Sequence, residues 1–164
     1  SIVWRGPMLM GALQQMLNQV QWGEQDYLFV DLPPGTGDVQ LTLCQKTNVA
    51  GAIVVSTPQD IALLDARKGI DMFKRLNIPI IGLIENMSSF VCSGCGMTHY
   101  PFSNGSLKEE ANKINTQLLG ELPLDLDTRV ASDSGVPIVV SHPKNPTSIA
   151  FFEVADKLCK FDLR

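Results

Sequence analysis

Apolar residues return at helical spacing over Leu9, Leu13, Met16, Leu17 and Val20, directly after Pro7, a residue suited to a first helical turn, and predict a helix over residues 7–21. The pattern then changes character. Tyr27 to Leu32 is a short, nearly continuous apolar run stopped by Pro33-Pro34-Gly35, which predicts a buried strand feeding a tight loop. Helical spacing resumes from Val39 to Thr47, and Gly51 to Thr57 is a second β-branched run, stopped by Pro58. Ala62, Ala66, Ile70 and Phe73 form one helical stripe, with Asp60 at its start and Lys74 and Arg75 at its end, as a helix dipole favours. Ile78 to Glu85 predicts a third strand, followed by a turn at Asn86-Met87. Leu107 to Ile114 predicts a helix, Gln117 to Leu122 a fourth strand, and Phe151, Val154, Ala155 and Leu158 a closing helix.

Continuous apolar strands separated by amphipathic helices indicate an α/β fold, a mostly parallel sheet with helices on both faces. In 164 residues with 45% hydrophobic content there is material for one well-buried domain, and no repeat or linker suggests a second. A net charge of −4, with no cluster of Lys or Arg beyond isolated pairs, disfavours nucleic acid as a partner. No apolar run reaches the roughly 20 residues that span a bilayer. Four cysteines, two of them isolated at Cys44 and Cys159, do not form a disulfide framework and fit a reducing compartment, cytoplasm or organelle matrix.

The other two cysteines carry the most chemical information. Cys92 and Cys95 lie in Phe90-Val91-Cys92-Ser93-Gly94-Cys95-Gly96-Met97, and two thiols at this spacing can grip a soft metal without completing its shell. Zinc and iron-sulfur centres usually take four protein ligands. The chain has no second C-x-x-C, so a closed site needs distant groups of the same fold or the same loop from a second copy; the second copy is favoured. A structural zinc knuckle remains open. A redox dithiol fits less well, because reactive pairs sit at helix N-termini and this one sits in a glycine-rich loop before Pro101. His99 could be a third ligand but reads better as a polar loop residue.

Two further segments fall at carboxyl ends of predicted strands, where open α/β sheets bind ligands. Asp31 precedes Pro33-Pro34-Gly35-Thr36-Gly37-Asp38, and a carboxylate there can order a magnesium ion while glycines let backbone N–H groups approach a phosphate. The plain alternative is an Asp capping a turn. Asn86 can offer donor and acceptor together to an adenine edge, or can simply be a turn residue.

Taken in order, Trp4-Arg5-Gly6-Pro7-Met8, Asp26 to Asp38, Thr57-Pro58-Gln59-Asp60, Asp65-Ala66-Arg67-Lys68-Gly69, Glu85-Asn86-Met87-Ser88 and Cys92-x-x-Cys95 resemble the Mrp/ApbC-type iron-sulfur cluster carriers, in the MinD/ParA-like branch of P-loop ATPases. The resemblance covers essentially the whole chain. It implies that Asp31 is the carboxylate near magnesium and the single catalytic candidate, that Gly35 and its neighbours sense the γ-phosphate, and that Asn86 contacts adenine. It implies that Cys92 and Cys95 ligate a [4Fe-4S] cluster shared across a homodimer and passed to apo iron-sulfur proteins, with ATP and Mg2+ gating delivery. A partner-recruiting ATPase of the MinD/ParA kind and a zinc-stabilised interaction module are the competing readings.

One departure from the family pattern is large. The chain contains neither G-x-x-x-x-G-K-[ST] nor its two-lysine variant, and the loop's amides and Lys supply most of the attraction for β- and γ-phosphates. The sequence is therefore read as the C-terminal portion of one P-loop NTPase-like domain, residues 1–164, with its metal-binding loop at 90–101. The parent is expected to be an ATPase, and this portion alone is expected to bind ATP weakly and to have exposed sheet edges prone to association.

Overall fold

The computed structural model describes residues 6–33 and 35–161. Trp4, Arg5 and Pro34 of the motifs above, the side chain of Leu9 and the last three residues lie outside that description. The chain divides into two compact units, Ser1–Val49 and Ala50–Arg164.

In the first unit the two predicted helices form as α1 (Gly6–Gln19) and α2 (Asp38–Lys46), which pack on each other. Leu13 is buried from the α1 stripe, while Met16 and Val20 remain exposed. The predicted strand over Tyr27–Leu32 does not form. Residues 27–33 are irregular, and Phe29 is 70% exposed, its ring stacked on that of Tyr27 at 6.3 Å between centroids. An apolar run becomes a strand only when a neighbouring strand takes up its backbone N–H and C=O groups, and these residues belong to none of the described strands.

The second unit is the predicted α/β sandwich. Its central strand β2 (Ile80–Val91) pairs in parallel with β1 (Ala52–Ser56) on one side and with β4 (Leu118–Leu124) on the other. A two-residue strand, β3 (Thr98–His99), pairs antiparallel with the end of β2. The helices α3 (Asp60–Arg75) and α4 (Ser106–Lys113) connect β1 to β2 and β2 to β4. Side chains alternate across the sheet as a period of two demands. Val54 and Leu83 face Leu63 and Ile70 of α3 and Leu107 and Ala111 of α4. On the opposite face Ile53, Ile84 and Leu119 meet Val154 and Leu158 of the closing helix α7 (Pro146–Cys159). Gly82, mid-strand in β2, is required by close approach: a Cβ there would lie 2.9 Å from the Gln117 carbonyl oxygen and 2.5 Å from Leu119 Cγ.

Two features depart from the sequence pattern. The turn expected at Asn86-Met87 is a bulge inside a strand that continues to Val91. Asn86 pairs with Leu122 and Phe90 with Leu124, so β2 carries extra residues between the two pairs, and Met87 takes a left-handed φ of 55° to accommodate them. Residues 123–145, for which the pattern predicts nothing, hold α5 (Leu126–Asp133) and the short α6 (Ile138–Ser141).

Candidate functional site

The last residues of β2 form one arm of a hairpin within the sheet, where Phe90 still pairs with Leu124 of β4 on its other side. Phe90 pairs with His99 and Val91 with Thr98; the Cys92 amide then donates to the Met97 carbonyl at 2.9 Å, which sets Met97 opposite Cys92. Inside this clasp the Gly96 amide donates to the Cys92 carbonyl at 2.8 Å, and Gly96 adopts a left-handed φ of 73° that closes the turn. Cys92 is half-buried and Cys95 exposed.

The loop is shaped around the Cys92 sulfur. The amides of Cys95 and Gly94, and then the Cys95 thiol, hydrogen-bond it and hold its pKa below the ordinary thiol range. Amides converging on sulfur favour thiolate, the form that binds metal. No helix begins at this pair, in keeping with a ligand loop rather than a redox dithiol. His99 is taken into the ladder opposite Phe90, and among the described residues no group of three or more His, Cys, Asp or Glu could hold a metal ion. The donor set is two thiols, which suits a soft metal and leaves its shell half-filled.

At the bulge, Asn86 is half-buried and its Oδ1 accepts the Met87 amide at 3.0 Å. The preceding residue, Glu85, was not singled out by its sequence context, yet it is 1% exposed in the middle of the sheet. Its Oε2 accepts the Leu107 amide at 3.1 Å, and the Gly105 amide also bonds it. It thereby caps α4, whose own N-cap Gly105 has no side chain to do so. Burial pushes the Glu85 carboxyl above the usual range against the pull of those amides, and nearby Glu121 adds to the rise. An acid inside a continuous apolar strand was the available signal.

In the first unit Asp31 is exposed, and Gly35 has a left-handed φ of 95° in the turn that leads to α2. Gly37 is the N-cap of α2 and supplies no side-chain cap, so the first amides of that helix have no side-chain acceptor there. Gln40 is buried and donates to the Pro33 carbonyl at 2.7 Å, which fixes the turn against its own helix. Asp31 and Gly35 thus belong to one unit, and Asn86, Cys92 and Cys95 to the other.

A family model described as ParA, NUBPL iron-transfer P-loop NTPase, matches residues 1–159. The chain belongs to that family. It is similar to the iron-sulfur cluster carrier protein of Pseudomonas fragi, 47% identical over 154 residues that make up 94% of this chain and 54% of the relative. It is 45% identical over 159 residues to the iron-sulfur cluster transfer protein NUBPL of Mus musculus, covering 97% of this chain and 50% of that protein. The fold matches a nucleotide-binding protein from Archaeoglobus fulgidus solved in complex with ADP, with a TM-score of 0.74 and 38% identity over 88% of this chain and 58% of that one. The chain therefore spans about half the length of the curated relatives it matches. Among the described residues no helix is long and apolar enough to cross a membrane.

Proposed function

We propose that this chain is the cargo-holding portion of an iron-sulfur cluster carrier, in which Cys92 and Cys95 hold a [4Fe-4S] cluster together with the same pair from a second copy. The observation that carries this reading is the hairpin itself, two thiols in one exposed clasp with no third donor among the described residues. Cargo moves by ligand exchange. An iron bond to a Cys92 or Cys95 sulfur breaks as one forms to a recipient thiolate, and the proton the recipient loses returns to the freed cysteine. Apo iron-sulfur proteins that present open thiols are the recipients, in the cytoplasm or an organelle matrix.

In the full-length protein, Asp31 would order the magnesium ion and Gly35 with its neighbours would face the γ-phosphate. The uncapped start of α2 and the left-handed turn before it suit an approach by phosphate oxygens. Asn86 would meet the adenine. On this reading residues 1–164 are the C-terminal portion of one P-loop NTPase domain, and ATP gates delivery.

Anaerobic reconstitution of the full-length protein with iron and sulfide is expected to give a dimer holding about four irons per two chains, the stoichiometry of a centre with four thiolate ligands. Cys92→Ser should abolish iron retention. A variant that keeps its iron would remove Cys92 from the ligand set, and zinc as the sole metal under anaerobic purification would favour the interaction module instead.

A further inference from the structure

From Val91 to Tyr100 every residue is exposed except Cys92, which is half-buried. The two thiols of the clasp are therefore unequal, although the spacing that pairs them treats them alike. Cys92 is tied on both sides of its backbone: its amide donates to the Met97 carbonyl, and its carbonyl accepts the Gly96 amide. Its sulfur lies against the loop, close enough that a Cβ added at Gly94 would stand 3.9 Å from it, and it takes the amides of Cys95 and Gly94. Cys95 sits in the turn between Gly94 and Gly96 and makes no backbone–backbone hydrogen bond among the described residues.

Ligand exchange needs room for the incoming sulfur and freedom for the outgoing one. To leave a metal by rotating its side chain, Cys92 would give up the amides at its sulfur, with the loop across its path. Cys95 is open to solvent and gives up neither amide. We propose that Cys95 is the releasing ligand and Cys92 the anchor, so that a recipient thiol displaces Cys95 first and Cys92 lets go last. In that step the recipient thiol loses its proton and its sulfur pair forms the new bond to the metal. The bond to Cys95 breaks with its pair left on the Cys95 sulfur, which takes up the proton; nothing is oxidised or reduced. The clasp keeps the freed Cys95 beside the metal, so the exchange can run back until a second recipient thiol displaces Cys92. Loading is the same path reversed, with Cys92 binding first. The inference rests on the carrier reading for the cargo and adds to it the order in which the ligands act.

The test uses full-length protein with all cysteines intact, loaded separately with iron plus sulfide or with zinc, which also accepts four thiolates. Glutathione serves as the receiving thiol, and samples are capped early in the exchange with excess N-ethylmaleimide. Tandem mass spectrometry of the peptide that carries both cysteines places each label. Label on Cys95 is expected to lead label on Cys92 by about tenfold, the factor that one to two hydrogen bonds at sulfur set. Metal-free protein is the control; there the amides around its sulfur speed Cys92, so intrinsic reactivity does not imitate the expected order. Label that leads on Cys92, or that rises equally on both, would overturn the proposal and leave the carrier reading standing. Gly96→Ala strains the left-handed residue that closes the turn, while its added Cβ meets nothing within 4 Å among the described residues outside its chain neighbours, and should shrink the lead of Cys95. An unchanged lead in that variant would overturn the anchoring role of the clasp. Zinc uptake without iron uptake would sink the carrier reading alone, since the zinc arm still gives the order. Protein that retains neither metal overturns both.

Discussion

Asn145 donates through Nδ2 to the Oδ2 of Asp125 at 3.2 Å, and each of the two caps its own helix. The Asp125 carboxylate accepts the Thr128 amide at 3.0 Å at the start of α5, and the Asn145 side chain accepts the Thr147 amide at 2.8 Å at the start of α7. Burial works against the ionised Asp125, but Thr128, the Asp127 amide and Asn145 outweigh it and hold the carboxyl below its usual range. The stability this contributes is present above the unfolded value of about 3.9 and is lost as pH falls through the lower folded value. Asn145→Ala removes one cap outright and should cost about 1 kcal/mol at neutral pH. In urea titrations from pH 7 to pH 2, the gap between wild type and variant should narrow below pH 4. A gap that ignores pH would mean that Asn145 does not support the charge on Asp125.

Glu85 runs the opposite way. Its folded pKa is raised, so stability declines as pH climbs from the unfolded value of about 4.3 to the higher folded value, and stays lowered above it. Glu85→Gln keeps an oxygen for the Leu107 amide while removing the buried charge, and should be at least as stable as wild type at pH 7. Glu85→Ala strands that amide and should cost about 1–3 kcal/mol. Thermal melts of the two variants side by side decide the matter; equal losses would contradict a capping role.

The thiols should separate by reactivity. Backbone amides hold Cys92 low, whereas burial pushes Cys44 up. With metal removed, iodoacetamide at pH 7 should label Cys92 well before Cys44, as followed by peptide mass spectrometry. Equal rates would show that the clasp does not favour thiolate at Cys92.

Gly82→Ala should destabilise by about 1–3 kcal/mol, because the added methyl meets the Gln117 backbone oxygen as well as Leu119. The measurement is the denaturation midpoint. Gly11→Ala, whose added Cβ meets nothing within 4 Å among the described residues outside its own helix backbone and chain neighbours, serves as the control and should be neutral or better.

Much of the architecture could be read from periodicity. Ile70 buries and Ala66 packs against the same core as their spacing implies, although Leu63 and Met72 outside that stripe bury more deeply than Ala62 and Phe73; the runs Gly51 to Thr57 and Ile78 to Glu85 both supply strands, with Val55 left exposed in the first. Tyr27–Leu32 has the same composition but belongs to none of the described strands, and composition alone cannot supply a neighbouring strand. At Asn86-Met87 a polar residue and a left-handed φ imitate a turn, though the strand only bulges. The cysteine pair was visible as a motif. What converts it into a clasp, the Met97 carbonyl, the amides around sulfur and the two-residue strand β3, depends on pairing between segments that no spacing rule reveals. The Leu107 amide that Glu85 accepts and the Asp125–Asn145 link were hidden for the same reason.

The central strand and the cysteine arm are one unbroken length of backbone. Lengthwise sliding by one residue would turn Leu83 and Ile84 out of their opposite layers, so the thiols stand at a fixed height above the carboxyl edge of the sheet. Beyond the bulge at Met87 the strand is held again, with Phe90 paired to Leu124 on one side and to His99 on the other, so the thiols are fixed in tilt as well as in height. Whatever meets this thiol pair must come to it, because the strand that carries it can neither lengthen nor lean away from the sheet.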